Sequence, residues 1–155
     1  MTMTLTQDEV DKRVALLKRL KATLSQQREK FQSYLKVLDA EKASIEADAV
    51  DTLRSQVELE EELLVDIHAI QKVIDPLETI LQQAYQGSTD DEVVDLKISL
   101  DALKTKVQER SRENRGLLSR AMETLNHEIV RVRPQVRSRN PYASPRTSSL
   151  VDITT

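Results

Sequence analysis

The chain has 155 residues, a formal net charge of −3, 32% charged side chains and only 3% aromatic ones. It is short enough for one domain, too poor in aromatics for a thick globular core, and too weakly charged for a global field that favours nucleic acid or an anionic membrane. Cysteine is absent, which excludes disulfides and thiol chemistry but is neutral about compartment.

The opening "MTMTLTQDEV" lacks the basic and apolar regions of a signal peptide. No apolar run approaches the roughly 20 residues of a membrane span. Leu, Val, Ile and Ala on a charged background suit long helices packed along narrow seams. The expectation is a cytoplasmic, all-α protein without membrane insertion: an elongated antiparallel helical bundle or coiled coil of about three long helices. The bundle should span 1–133, and a flexible tail should follow over 134–155.

Thr6 and Glu9 have the spacing of a capping box at a helix start. From there Val10, Leu17, Leu24, Phe31, Leu38 and Ile45 recur every seven residues, which predicts a first helix over about 6–47. Companion positions are mixed, with Val14 and Leu35 apolar and Lys21, Arg28 and Lys42 polar. Leu20 and Tyr34 widen the stripe on its other flank.

The period falters at "EADAVD". Asp48 is a candidate N-cap for a second helix over about 49–86, joined by a tight turn; a bend is the alternative. This helix carries Val50, Leu53, Val57, Leu64, Ile67, Ile70 or Gln71, and Ile74. Its "ELEEELLVD" tract reads as a solvated acidic face. Asp75-Pro76 predicts a break or a kink, because proline has no N–H and disfavours helix just before it. A short restarted helix would follow through Leu77, Ile80, Leu81 and Tyr85.

"GSTDD" is a loop, and Thr89 with Glu92 repeats the capping-box spacing. A last helix over about 90–133 carries Val93, Leu96, Leu100, Leu103 and Val107. Its phase then moves. Leu118, Met122, Leu125, Ile129 and Val132 also alternate by threes and fours, but they start eleven residues beyond Val107. Such a step inserts four residues into the heptad and locally unwinds a supercoil. Arg110, Arg112, Glu113, Asn114 and Arg115 fill the transition. Pro134 is expected to end the helix. The tail carries Pro, Ser and Thr, an apolar end at Leu150, Val151 and Ile153, and arginines from Arg131 to Arg146 with no acid among them.

Signs of catalysis are missing. There are two histidines, His68 and His127, and no glycine-rich phosphate loop. A di-iron helical bundle needs Glu-x-x-His on two helices, and Val65 and Thr124 stand where the glutamates would be. No enzyme, catalytic residue, metal or cofactor is expected. Nor is nucleic-acid binding, since no aromatic stacking platform interleaves with the arginines.

The distal stripe of Leu117, Leu118, Ala121, Met122, Leu125, Ile129 and Val132 has two readings. It completes the bundle, or it takes an incoming amphipathic helix, for which soft Met122 beside small Ala121 is well suited.

"IEADAVDTL", "VELEEELLVDI", "RENRGLLSRAMETLNHEI" and "RNPYASPRTSSLVDITT" together resemble FlgN-type flagellar export chaperones, from about Val10 to the end. The Glu113–Leu118 stretch before a terminal amphipathic segment is the most distinctive part. The resemblance implies a helical chaperone of bacterial type III export. Such a chaperone binds the C-terminal helices of hook-associated (hook–filament junction) proteins, prevents their early assembly and delivers them to the export gate. It implies client binding through Leu117, Leu118, Ala121, Met122, Leu125, Ile129 and Val132. It also suggests export-gate docking through Tyr142, although "NPYASP" sets that tyrosine between prolines and further past the helix than the family pattern. The alternative is a coiled-coil adaptor or assembly subunit, a homo-oligomer paired through the Val10–Ile45 seam.

Overall fold

The structure, a computed structural model, describes residues 6–85 and 90–139, with side chains described as far as Val132. It is all-α. Three long helices follow in order, α1 (Gln7–Glu46), α2 (Val50–Ala84) and α3 (Asp91–Arg139), and there is no strand among the described residues. No helix among those residues is long and apolar enough to cross a membrane. The chain divides into two packing units, Met1–Arg115 and Gly116–Thr155.

In the first unit α1 and α2 are antiparallel. Gln27 pairs with Gln71, Lys30 with Asp66 and Tyr34 with Glu60. The proximal part of α3, residues 91–115, runs parallel to α1. Lys21 meets Asp90, Arg110 pairs with Asp39, and Asn114 reaches Leu38. The core lies between the three: Leu20, Leu24, Phe31, Tyr34 and Leu38 of α1, Ile67, Ile70, Ile74 and Leu77 of α2, and Val93 and Leu100 of α3. Each Leu or Ile so buried contributes on the order of 1.5–3 kcal/mol before ordering costs.

The capping box at α1 is present: Glu9 N–H donates to Thr6 Oγ1, and Thr6 N–H donates to Glu9 Oε2. The seam of Leu24, Phe31, Leu38 and Ile45 is buried as its heptad requires. Its companion row differs from expectation. The buried partners are Leu20, Gln27, Tyr34 and Glu41, themselves seven apart, while Val14 is 46% exposed.

The turn between α1 and α2 forms differently from the expected cap. Asp48 does not cap α2; Ala49 holds that position with no side-chain bond. Asp48 instead takes a left-handed conformation, φ 54°. Its N–H donates to Ile45 O, and Ala49 N–H donates to Ser44 O. These two bonds close a Schellman turn, in which the left-handed residue is usually glycine and aspartate is among the few tolerated substitutes.

The expected break at Pro76 does not occur, and α2 runs through it. The carbonyl that loses its partner belongs to Lys72, which is exposed, so water can replace the bond. Ile74 and Leu77, buried on either side, hold the helix in phase. Likewise α3 does not end at Pro134 but continues to Arg139. There the orphaned carbonyl is that of Val130, which is 64% exposed. Of the expected tail, 134–139 is helical, and residues 140–155 lie outside the described residues.

Thr89 also lies outside them. The start of α3 is capped by Asp90, whose Oδ1 accepts from Glu92 N–H at 2.9 Å and Val93 N–H at 3.4 Å. Lys21 bridges Asp90 and Glu92 from α1, at 2.9 and 3.0 Å, and holds the Asp90 carboxyl below its ordinary range.

Candidate functional site

From Gly116 onward α3 carries a row of apolar side chains spaced four and three apart. Leu118, Met122, Leu125, Ile129 and Val132 are exposed, by 39%, 56%, 55%, 46% and 52%. Leu117 and Ala121 beside them are half-buried. The spacing puts all seven on one broad helix face. Tyr142 lies outside the described residues.

Two polar side chains of this segment bond to their own helix. Arg120 Nε donates to Gly116 O at 3.3 Å, and Thr124 Oγ1 donates to Arg120 O at 3.0 Å. Side chains that fold onto their own helix leave the apolar row unobstructed. A contiguous exposed patch of this kind is the usual mark of a binding surface. Chemically the face offers dispersion and burial, with no polar constellation for bond making.

The sequence reading missed a layer of buried polar groups at the top of the first unit. Tyr34 Oη donates to Glu60 Oε1 at 2.5 Å. Glu41 is buried beside Glu60, with Asn114 facing it from α3. Burial pushes the Glu41 carboxyl up to about 8, helped by the hydrogen bond and charge of Glu60; a hydrogen bond from Asn114 acts in the opposite sense. Burial also raises the Tyr34 phenol, again with Glu60 contributing. Glu41 Oε1 has no hydrogen-bond partner among the described residues. The signal that could have found this layer is the seven-residue step from Leu20 through Gln27 and Tyr34 to Glu41. Asn114 belonged to a polar stretch read only as a phase change.

An open cleft of about 430 Å³ lies near the lower end of the bundle, lined by Leu17, Leu20, Leu81, Tyr85 and Val93 among others. Tyr85 closes one side: its Oη donates to Glu9 O at 3.2 Å, and Arg13 lies 5.3 Å over its ring. No cluster of three or more potential metal ligands occurs among the described residues. His68 and His127 are both exposed, and His68 Nδ1 donates to Leu64 O at 2.8 Å.

An uncharacterized protein of Treponema pallidum (strain Nichols) is 40% identical to this chain over 122 residues, covering 79% of this chain and 78% of that protein. No family model matches, and no solved structure matches.

Proposed function

This chain belongs to one family with that Treponema pallidum protein, and we propose that it is a non-enzymatic cytoplasmic export chaperone. Its clients are the C-terminal amphipathic helices of flagellar hook-associated, or hook–filament junction, proteins. It holds them on the distal face of α3, keeps them from assembling early and passes them to the type III export gate. Tyr142 is the residue proposed for contact with the gate.

One observation carries the reading. Five large apolar side chains, Leu118 to Val132, stand exposed on one helix face beyond the first unit's core. A client helix laid along them buries its own apolar side and theirs together. At about 1.5–3 kcal/mol per buried Leu or Ile side chain, four anchors here and four on the client supply about 12–24 kcal/mol before association and ordering costs, against the roughly −8 kcal/mol net of a micromolar complex. Export requires release, and that strength permits it.

A coiled-coil adaptor pairing protomers through Val10–Ile45 needs Leu24, Phe31, Leu38 and Ile45, which the chain already buries in itself. The export-chaperone reading is tested by copurifying the chain with C-terminal segments of candidate junction proteins. Met122→Glu with Leu125→Glu should abolish the complex and leave helicity intact, because both positions are exposed. Normal binding by this double variant would refute the assigned surface.

A further inference from the structure

The chain exposes a second apolar row, on α2. Val50, Val57 and Leu64 are seven residues apart and 63%, 39% and 37% exposed. They lie on the flank that, further along α2, carries Gln71 and Glu78, which bind Gln27 of α1 and Lys97 of α3. That flank therefore takes helical neighbours lower down and presents apolar side chains above.

The two rows differ in charge. Residues 50–66 hold six acids and one arginine. Exposed Glu61, Glu58 and Glu62 follow along one side of the Val57 and Leu64 row. Residues 116–155 hold six arginines and three acids, a net of +3 in a chain whose total is −3. Arg120 and Arg131 are exposed beside the distal row of α3, and neither joins an ion pair among the described residues. An acidic, apolar helix flank and a basic, apolar helix face thus occur in one molecule, both stepping by sevens.

We propose that the occupant of the α2 flank is the distal part of α3 from a second copy of this chain. The exchange is reciprocal, so two copies close into a dimer and leave no unpaired end. Burial of the two apolar rows supplies the affinity. The opposite charges steer the encounter and disfavour like-on-like pairing. The dimer covers Leu118–Val132 until something else binds there. This inference needs no client, and its failure would leave the chaperone reading standing.

Sedimentation of the full chain tests it. The wild type should dimerise, and added salt should weaken the dimer. Two charge-reversed chains separate the possibilities. The first carries Arg120→Glu and Arg131→Glu; the second carries Glu58→Lys, Glu61→Lys and Glu62→Lys, which turns residues 50–66 net positive. Alone, each should lose dimerisation by at least about tenfold, with unchanged helicity. Mixed in equal amounts they should dimerise again, since the acidic α3 of the first then meets the basic flank of the second, and the reverse. A wild type monomeric at roughly 100 µM overturns the proposal. So does a mixture that remains monomeric, or a reversed chain that dimerises as well as the wild type.

Discussion

Asn114 donates its side-chain amide to the carbonyl of Leu38 at 2.9 Å, a buried bond between residues 76 apart in sequence. It ties α3 to α1 at the last level of the first unit, one residue before the boundary at Arg115. Apolar seams tolerate sliding by a turn, whereas one polar pair in them fixes the register. The buried amide has a partner only when Asn114 is level with Leu38.

Loss of that amide should therefore be costly. Asn114→Ala should lower unfolding free energy by about 1–3 kcal/mol. Asn114→Asp should be worse, because it sets a carboxylate against the Leu38 carbonyl and near Glu41 and Glu60. Urea denaturation monitored by helicity measures both. An Asn114→Asp chain as stable as the wild type would contradict the assignment.

Stability should also depend on pH through Glu41. Its folded value of about 8 lies above the ordinary 4.5. Between those values the folded chain keeps a proton that the unfolded chain has lost, so stability falls as pH rises through the window and levels off above it. The groups facing Glu41 are Glu60, Tyr34 and Asn114, with Arg115 near Tyr34. Glu41→Gln should flatten the slope. Thermal midpoints from about pH 5 to about pH 8 check this, and equal slopes in the two chains would exclude Glu41 as the cause.

Gly116 opens the distal segment inside a continuous helix. A methyl group there would meet nothing nearer than Arg120 Nη2 at 3.9 Å, an ordinary contact. Glycine costs a helix interior about 1 kcal/mol relative to alanine. Gly116→Ala should slow hydrogen exchange of the amides around it by about fivefold while client affinity stays within about twofold. A destabilised Gly116→Ala chain would mean that the backbone there is not simply helical in solution.

Helix number and most of the seams were legible because burial here follows the seven-residue period. Leu24, Phe31 and Leu38, and Leu100 on α3, sit where that period puts them. Misreadings arose where local rules met tertiary compensation. Pro76 and Pro134 read as stops because proline removes an N–H, yet exposed carbonyls and a helix already in progress tolerate the loss. Asp48 reads as a cap from its side chain, whereas the turn uses its backbone at positive φ. Gln27 and Glu41 look like surface residues by type, and only their step from Leu20 marks them as inward. On α2 the acidic tract stands out in the sequence, but Val50, Val57 and Leu64 read as one row with Ile67 and Ile74. Which flank of a helix finds a neighbour depends on where α3 ends its packing, and the α2 sequence alone does not contain that information.

The phase change around Asn114 was legible for a different reason. The eleven residues from Val107 to Leu118 insert four into the seven-residue repeat, so the heptad seam shifts there. The packing boundary between Arg115 and Gly116 falls at the same place.

The most direct test of the central claim is hydrogen exchange across Leu117–Val132 in the chain diluted to its monomer, measured with and without a junction-protein C-terminal segment. Proposed client binding predicts slowed exchange confined to this stretch on adding the segment, with the amides of Leu24–Leu38 unchanged. Exchange across Leu117–Val132 that stays the same while the segment is demonstrably bound would contradict it.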